Sequence, residues 1–460
     1  MIILVAVILF ALFIAPLVLE CQRSGRPRDL FSPLRLMCCL HLLTVVPFLF
    51  MVGFDENTFP QYARRNLQRL DVAILHYAAV QAVAFLALWA GIAARLPWTL
   101  VRRLPAVGVS PKRGSLLRAG VIVFVIGFTA YLIYVSRIGG FSGLIHTNKP
   151  RNVLMAGNGY LLALTRLILP GVMAFICSLR YRRSPARILF TVLAMASAIA
   201  ALSSMGGRLS AIMLVVVSVL TWHYTVRRII GIPLWAYTLV FLFVPYFVAM
   251  PLLREPGAAL RYSRQHERLW QDIQANLYKV VTQLSYVDTY VFIVNHFDTT
   301  NLWLGRSYLD LVVAPIPSTM YPDKPPVDDG VYIRSLEHGM TVAPGMPYRL
   351  LFQSSTPPET LGLSYLNFWW PGVIIGMYLL GTVYKAAYAY MARSSYSLHS
   401  IYVYASIMLG FQFTNLRIVN FAEAVATSTI ALGLLLGFQS MPRTTRVVSA
   451  GVRGQLPVAG

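Results

Sequence analysis

Five charged side chains lie in or beside long apolar runs, where burying a charge in lipid is costly. They are Arg166 in LLALTRLILP, Arg208 in SSMGGRLSAIM, Arg254, Arg417, and Glu423 in VNFAEAVATS. Four cations near one local carboxylate leave positive charge uncompensated, and the planar guanidinium group suits phosphate. The pattern therefore predicts a site for an anionic headgroup. A structural network is the alternative, with Glu423 paired to Arg417 or Arg166, and snorkelling to the membrane surface would also explain Arg254.

A second group of polar residues lies in the proline-rich segment 314–330, APIPSTMYPDKPPVDDG. Proline fixes φ and lacks a backbone donor, so this segment cannot form regular helix or a central strand. We expect a stiff loop that holds Tyr321, Asp323 and Lys324 in place. A simple spacer is the alternative interpretation.

Few other residues carry a recognisable chemical pattern. His338, in RSLEHGMTVAP, could act as a base, and Asp328 and Asp329 form a carboxylate pair. Paired carboxylates in a loop are more often solvated than bound to metal. The sequence has no Walker motif, dinucleotide-binding glycine signature, HExxH motif or assignable Ser-His-Asp pattern. It therefore predicts neither a metal nor a cofactor.

The composition places these residues in a membrane protein. Of the 460 residues, 57% are hydrophobic and 12% are charged, whereas a soluble protein of this length needs more charge to cover its surface. The net charge of +22 is mostly topological, because basic residues collect in the cytoplasmic loops of membrane proteins. A nucleic-acid partner is therefore not expected, and the lipid bilayer is.

About eleven apolar runs reach the roughly 17–25 residues that a helix needs to span a bilayer. They cover 2–20, 36–54, 72–94, 119–137, 159–179, 188–205, 209–226, 232–253, 368–391, 401–416 and 421–441. More than half of the 39 Lys and Arg residues fall on one side of these spans, with Glu20 and Asp29 as the acidic residues there. By the positive-inside rule this side is cytoplasmic. The chain is thus predicted to be an all-α, multi-pass protein with its N-terminus outside the membrane and its C-terminus in the cytoplasm.

One connection is much longer than the others and divides the chain. Transmembrane helices 1–8 occupy 1–253, a large periplasmic loop occupies 254–367, helices 9–11 occupy 368–441, and a cytoplasmic tail covers 442–460. So long a connection normally has its own structure and a function. Apolar residues recur at helical spacing in its first third, which predicts one long helix resting on the rest of the loop or on the membrane surface. These residues are Leu269, Ile273, Leu277, Val280, Leu284, Val287, Val291 and Val294.

Helix packing explains two further patterns, the GxxxG motifs at Gly372/Gly376 and at Gly433/Gly437. Neither motif is assigned a functional role.

Three segments together resemble the Wzy-type polymerases, which assemble oligosaccharide repeat units into O-antigen and related bacterial surface polysaccharides. They are GGRLS at 206–210, the proline-rich segment 314–330, and SSTPPETLGLSYLNFWWPGVIIGMYLLG at 354–381. Topology, length and the single large outer loop are similar as well. The sequence departs from the family pattern at Leu363, where a glutamate is common, and at Trp369–Trp370, which replace a glycine. The catalytic carboxylate is then expected at Glu359, or at Asp328 and Asp329.

The resemblance implies a substrate and a reaction. The substrate is an oligosaccharide repeat unit linked through pyrophosphate to undecaprenol, at the periplasmic face of the bacterial inner membrane. The reaction is a metal-independent glycosyl transfer, in which fixed cations stabilise the departing pyrophosphate. A polysaccharide chain-length regulator and a flippase are the protein partners that it implies.

The candidate residues take three roles under this resemblance. The predicted pyrophosphate ligands are Arg166, Arg208, Arg254, Lys324, Arg334 and Arg417. The predicted catalytic residues are Arg208, His338, Asp328, Asp329, Glu359 and Glu423. The predicted sugar-binding residues are Tyr321, Asp323, Tyr332, Trp369 and Trp370, although tryptophan at the end of a span is more usually an interface anchor.

Two other functions remain open from the sequence. An O-antigen ligase-like transferase would share the architecture and the arginines, and only its product would distinguish it. A flippase for lipid-linked oligosaccharides would need charged residues along a path through the whole membrane, and it would not need so large an outer loop.

Overall fold

The computed structural model describes residues 1–23, 29–64, 67–108, 115–141, 158–205, 208–229, 267, 269–272, 285–317 and 320–440. The regular secondary structure of these residues is almost entirely helical. The helices are α1 (Ile2–Arg23), α2 (Pro33–Phe54), α3 (Gln61–Arg64), α4 (Leu70–Ala93), α5 (Leu96–Arg103), α6 (Ser115–Arg137), α7 (Gly159–Thr165), α8 (Ile168–Ser178), α9 (Pro185–Ser204), α10 (Arg208–Thr225), α11 (Val287–His296), α12 (Gly330–Glu337), α13 (Glu359–Arg393), α14 (Leu398–Gly410) and α15 (Asn415–Leu436). Short 3₁₀ turns cover Glu56–Thr58, Arg306–Leu311 and Tyr348–Leu350.

The only β structure among the described residues is one antiparallel pairing of two residues on each side, β1 (Val107–Gly108) with β2 (Gln439–Ser440). The helical fold class is confirmed.

Within the described ranges, eight helical segments are long and apolar enough to cross a membrane. They are Ile2–Gln22, Pro33–Phe54, Leu70–Ala93, Ser115–Arg137, Gly159–Ser178, Pro185–Ser204, Glu359–Arg393 and Asn415–Leu436. Two shorter apolar helices, Ser210–Thr225 and Leu398–Gly410, coincide with two further predicted spans. A multi-pass membrane protein is therefore the class that the fold supports. The predicted span 232–253 and the predicted tail 442–460 lie outside the described residues, so the total of eleven stays a prediction.

Close contact between backbones fixes the central pair of long helices, α4 and α13. A Cβ atom placed on Gly91 would collide with the carbonyl oxygen of Tyr378, and one on Gly381 would collide with that of Leu88. Glycine is the residue that allows two membrane helices to approach this closely. The pair forms a rigid support for the residues that follow the large loop.

Helix α13 is two helices joined at a sharp turn. Phe368 and Trp369 leave helical geometry, and Trp369 adopts a φ of 55°. The short arm 359–367 folds back along the long arm, because Gly372 and Gly376 face Ser364 so closely that a Cβ on either would collide with it. The GxxxG motif at 372 and 376, which was predicted to serve helix packing, thus packs against a re-entrant segment of its own helix. We call residues 359–367 the re-entrant arm.

The long helix predicted at the start of the large loop is wrong in part. Most of 262–284 lies outside the described residues, but Tyr286 adopts a φ of 50°, so a new helix starts at Val287. This helix, α11, is buried against α4, where the Asn295 side chain donates to the carbonyl of Ala73 at 3.2 Å. Val287, Val291 and Ile293 are fully buried. The apolar spacing therefore marks a helix inside the protein, and α11 does not rest on a surface.

The proline-rich segment is neither helix nor strand over its described residues, 314–317 and 320–329, as predicted. Lys324 closes this loop on itself: its Nζ donates to the carbonyl oxygens of Ala314 at 2.6 Å and Ile316 at 2.8 Å. The segment then leads directly into α12, which begins at Gly330.

Candidate functional site

The centre of the candidate site is an ion pair between Arg417 and Glu359, 58 residues apart in the chain. Arg417 lies in the first turn of α15, and Glu359 is the first residue of the re-entrant arm. Nη2 lies 2.5 Å from Oε1, and Nε donates to Oε2 at 3.3 Å, so two nitrogens on one edge of the guanidinium each bind one carboxylate oxygen. The side chains are only 20% and 11% exposed. Their geometry matches the two-pronged mode in which arginine also binds phosphate.

The backbone at Glu359 is strained, with a φ of 47°. A non-glycine residue in this region is uncommon and is held by its surroundings. The surroundings are hydrogen bonds to the non-helical stretch that joins α14 to α15. The Gln412 side-chain oxygen accepts from the Thr360 hydroxyl at 2.6 Å, and that hydroxyl accepts from the Phe413 amide at 2.8 Å. The two segments that carry Arg417 and Glu359 are thus tied together.

The carboxylates of Asp328 and Asp329 belong to the same region. Asp329 is fully buried and accepts from the Asn415 amide at 2.9 Å and from its side-chain nitrogen at 3.2 Å. That side chain also donates to the carbonyl of Ser307 at 2.7 Å. Because Asn415 begins α15, two residues before Arg417, it joins the end of the proline-rich segment to the ion pair. Arg417, Glu359, Asp328, Asp329 and Asn415 are called the Arg417 cluster below.

The two aspartates of this cluster have perturbed titration. Burial, reinforced by the charges of Asp328 and Asp310, raises the pKa of Asp329 to about 7. Burial also raises the pKa of Asp328, although the positive charge of Arg417 acts in the opposite direction. A carboxyl group that titrates near neutral pH can both accept and donate a proton. The cluster therefore combines a cation, a neutralising carboxylate and two carboxyl groups whose pKa values are raised.

A second ion pair involves α15 further along. Arg166 lies at the break between α7 and α8, where its Nη2 is 2.9 Å from Oε2 of Glu423. Its two terminal nitrogens also donate to the carbonyl and side-chain oxygens of Asn420, at 2.7 and 2.8 Å. The side chains of Arg166 and Glu423 are 31% and 44% exposed. Their pairing is the structural alternative that the sequence left open.

The prediction of uncompensated positive charge needs correction for the arginines that the structure describes. Arg166 pairs with Glu423, and Arg417 pairs with Glu359. The sequence placed Glu359 in the large loop, but the re-entrant arm brings it to Arg417. Arg254 lies outside the described residues. Arg208 begins α10, and its side chain also lies outside the described part of the chain.

The remaining predicted cations serve the loop itself. Lys324 caps carbonyls of the proline-rich segment. Arg334 lies 2.9 Å from Glu337, one turn along α12. His338 is exposed at the end of this helix, with its ring stacked on Phe352 at a centroid distance of 4.0 Å. All of these contacts are with other residues of the large loop.

The predicted sugar-binding residues are placed differently from one another. Tyr321 and Asp323 are exposed, and Asp323 lies 2.7 Å from Arg349. Tyr332 is fully buried, with its hydroxyl donating to Asp310 at 2.7 Å, and this placement does not favour stacking on a sugar.

Of the two tryptophans in this predicted set, Trp369 lies in the turn of α13 and Trp370 directly follows it, and both are half-buried. The Trp369 indole donates to the Tyr365 hydroxyl at 3.0 Å, and the Trp370 ring lies 6.2 Å from that of His76.

Sequence reasoning missed the neutral polar residues of the site, Thr360, Gln412 and Asn415. It counted only ionisable groups near the apolar runs. The signal was present in QFTN at 412–415, a polar interruption between two apolar runs. Nowhere in the described ranges do three or more His, Cys, Asp or Glu side chains form a group that could hold a metal ion.

A separate polar cluster surrounds Asp29, in the connection between α1 and α2. Its carboxylate accepts from the hydroxyls of Tyr224 at 2.8 Å and Tyr388 at 2.7 Å, and from the Phe31 amide at 3.1 Å. His223 Nε2 lies 3.2 Å from the same carboxylate. The Ile229 amide donates to His223 Nδ1, so Nε2 carries the proton and donates to Asp29. These groups, called the Asp29 cluster, join α10 and α13 to the first connection.

No family model matches the chain, and neither a curated protein nor a solved structure is significantly similar to it. Membership of the Wzy-type family therefore stays a prediction, and the functional proposal rests on the residues and their geometry.

Proposed function

We propose that the chain is a membrane-embedded glycosyltransferase that polymerises undecaprenyl-pyrophosphate-linked repeat units into O-antigen or exopolysaccharide. The observation that carries the proposal is the Arg417 cluster. It places a two-pronged arginine, its carboxylate and a carboxyl titrating near neutrality where the large loop meets the spans. The bacterial inner membrane, with the loop and N-terminus periplasmic and the C-terminus cytoplasmic, is the proposed location. A chain-length regulator and a flippase are the proposed partners.

The reaction requires no outside energy source. An acceptor hydroxyl attacks the anomeric carbon of the donor, the new glycosidic bond forms, and the bond to the pyrophosphate oxygen breaks. The pyrophosphate leaves with the electron pair, and a carboxylate takes the hydroxyl proton. Fixed cations stabilise the charge that develops on the leaving group.

Arg417 is the proposed cation for this step. In the structure its guanidinium is occupied by Glu359, so substrate binding must exchange that carboxylate for a phosphate of similar geometry. The strained backbone at Glu359 makes the exchange less costly, since moving the arm relieves the strain. Arg166, released from Glu423, is a proposed second ligand, and the roles of Arg208 and Arg254 remain proposals from the sequence.

Asp329 is the proposed base, with Asp328 as its neighbour. A base is most effective when its pKa lies near the working pH. Asp329 meets that condition through burial, and Asn415 fixes its position. Direct contact with an acceptor hydroxyl would need the substrate to enter between the proline-rich segment and α15.

Deletion of the gene, followed by complementation with variants and a gel of surface glycans, tests the proposal. We expect the deletion strain to make single-repeat products and the wild-type gene to restore long chains. Arg417→Ala and Arg208→Ala should not restore them, whereas the control Arg69→Ala, in an exposed pair with Asp71, should. Complete loss of attached glycan in the deletion strain would instead indicate a ligase, and unchanged glycans would refute both.

A second experiment addresses the chemistry directly. Purified protein in lipid is supplied with lipid-linked repeat units after exhaustive dialysis against EDTA. Persisting polymerisation is expected. Loss of activity that Mg²⁺ or Mn²⁺ restores would contradict the metal-independent reaction.

A further inference from the structure

The large loop carries an unusual row of exposed apolar side chains. Leu304, Leu309, Val312 and Met320 are 67%, 66%, 75% and 77% exposed, and Ile316 is 38% exposed. All five lie within one short stretch of the loop. Together they are called the apolar ridge. Exposed apolar side chains concentrated in one segment often mark an interaction site.

The ridge follows from the local geometry of the chain. In a 3₁₀ helix, residues three apart lie on the same face. Along Arg306–Leu311 and its continuation, Arg306, Leu309 and Val312 are exposed, whereas Ser307 and Asp310 are buried. The exposed face of a helix in water is normally polar. Here the exposed face is apolar, apart from Arg306 at its start.

A strained turn holds the ridge outward at its beginning. Leu304 adopts a φ of 52°, which is rare for leucine, and Gly305 follows with a φ of 83°. Hydrogen bonds from the Leu304 amide to the Asn367 carbonyl, at 3.2 Å, and from the Gly305 amide to the Asn367 side chain, at 2.8 Å, fix this turn. The fold therefore maintains an exposed leucine in an unfavourable conformation.

The ridge is continuous with the ends of two spans. Phe368, 46% exposed at the turn of α13, lies against Gly305, whose ideal Cβ would be 3.2 Å from its ring. At the other side, the Tyr308 hydroxyl donates to the Phe413 carbonyl, just before α15. The 3₁₀ helix and the turn before it thus lie against the sharp turn of α13 and against the residues just before α15.

We propose that the apolar ridge inserts into the headgroup and upper acyl region of the bilayer. The large loop would then be anchored to the membrane surface next to α13 and α15, and the Arg306 guanidinium would meet lipid phosphates. A partly inserted apolar face with a basic residue at its edge is the usual arrangement of interfacial segments. The proposal does not depend on the proposed enzymatic function.

Quenching by labelled lipids tests this placement in the full-length protein. Leu309→Cys, Val312→Cys and, as control, Thr341→Cys are made in a background whose four native cysteines are replaced by serine, and each is labelled with bimane. Thr341 is exposed and lies four residues before Gly345. The Gly345 amide donates to the Tyr332 hydroxyl, which in turn donates to Asp310 on the buried face of the 3₁₀ helix. The control therefore lies in a segment that contacts the face opposite the apolar ridge. Reconstitution uses phosphatidylcholine nanodiscs with or without brominated acyl chains.

Bimane at 309 and 312 should lose fluorescence in the brominated nanodiscs, and bimane at 341 should not. An equal loss of fluorescence at all three positions would overturn the proposal, and so would no loss at any of them. Cross-linking of Val312→Cys between two copies without quenching would also overturn it, because the ridge would then be a protein interface. Recovery of the labelled protein as a single species in detergent checks that each variant folds.

Discussion

Two polar clusters in this protein each contain an aspartate, but the pKa values of the two aspartates are shifted in opposite directions. Asp29 receives hydrogen bonds from two tyrosines, a histidine and a backbone amide. Burial alone would raise its pKa, but the hydrogen bonds, led by that of His223, outweigh burial and lower it. Asp329 receives hydrogen bonds from the backbone and the side chain of Asn415, but burial and the nearby carboxylates of Asp328 and Asp310 outweigh them and raise its pKa. The number of donors decides whether a buried carboxylate stays charged.

This difference indicates that Asp29 has a structural role and that Asp329 is a candidate reactive group. A carboxylate that accepts several hydrogen bonds stabilises the helices around it and stays charged at neutral pH. A carboxyl with few donors and like-charged neighbours is held at a cost, which is typical of functional sites. The contrast therefore predicts that changes in the Asp29 cluster reduce folding, whereas changes in the Arg417 cluster reduce activity beyond any effect on folding.

The largest effect is expected from Arg417→Ala. Removing one partner of a buried pair leaves Glu359 uncompensated and should lower the free energy of unfolding by about 3–5 kcal/mol. Combining Arg417→Met with Glu359→Gln removes both charges and should recover most of that stability, measured by thermal unfolding in detergent. Polymer length should not recover. If it does, the pair is structural and the comparison of the two clusters fails.

Next comes Asp329→Asn, which should lower polymerisation by roughly 10²–10⁴-fold, the usual contribution of a general base. It should also change the pH dependence of stability. Because the pKa rises on folding from 3.8 to about 7, the folded state binds the extra proton between these values, and the stability falls as pH rises through this window. The loss should be about 4 kcal/mol at most.

Unfolding temperatures of the wild type and the variant at pH 5 and pH 8 measure this term. The variant should show the smaller decline. Asp323→Asn, an exposed carboxylate on the same segment, is the matched control and should behave as the wild type does. An identical decline in wild type and Asp329→Asn would show that Asp329 does not titrate in this range.

A smaller loss, about 2–3 kcal/mol of unfolding free energy, is expected for Asp29→Asn, because hydrogen bonds to a charged acceptor are the strong ones. The lowered pKa of Asp29 means that its stabilisation is present above its ordinary value and is lost as pH falls below it. Activity per folded molecule should be unchanged. A drop in specific activity at equal amounts of folded protein would show that the Asp29 cluster is not only structural.

The smallest effect concerns Arg166 and Glu423, which are partly exposed. Either alanine substitution should lower stability less than Arg417→Ala does, because the Arg166–Glu423 pair is the less buried of the two. Exchange of the two residues, Arg166→Glu with Glu423→Arg, keeps the pair and therefore the stability. Long polysaccharide from the exchanged variant would show that Arg166 does not bind the leaving group. Loss of long polysaccharide at unchanged stability would support Arg166 as a ligand of the pyrophosphate.

The sequence predicted the parts of the fold that depend on local composition. Apolar runs of the right length located the spans at α1, α2, α4, α6 and α9, and prolines predicted the irregular segment before Gly330. Hydropathy works for spans because an isolated helix satisfies its own backbone in lipid.

The sequence could not show the re-entrant arm or the partner of Arg417. The turn that creates the arm lies at Phe368 and Trp369, without glycine in the left-handed position that normally signals such a turn. The pairing of Arg417 with Glu359 spans 58 residues and depends on how the arm folds back. Such a contact is set by tertiary packing, and a single sequence carries no trace of it.

The glycine-seated fold of the re-entrant arm has a consequence for biogenesis. Residues 359–367 leave the ribosome before the glycines that receive them, and Glu359 meets its cation only when α15 has also been synthesised. A nascent chain that stops before α15 would therefore hold an unpaired carboxylate against membrane helices. Completion of the last helix is thus the step at which membrane quality control could distinguish a finished molecule from a truncated one.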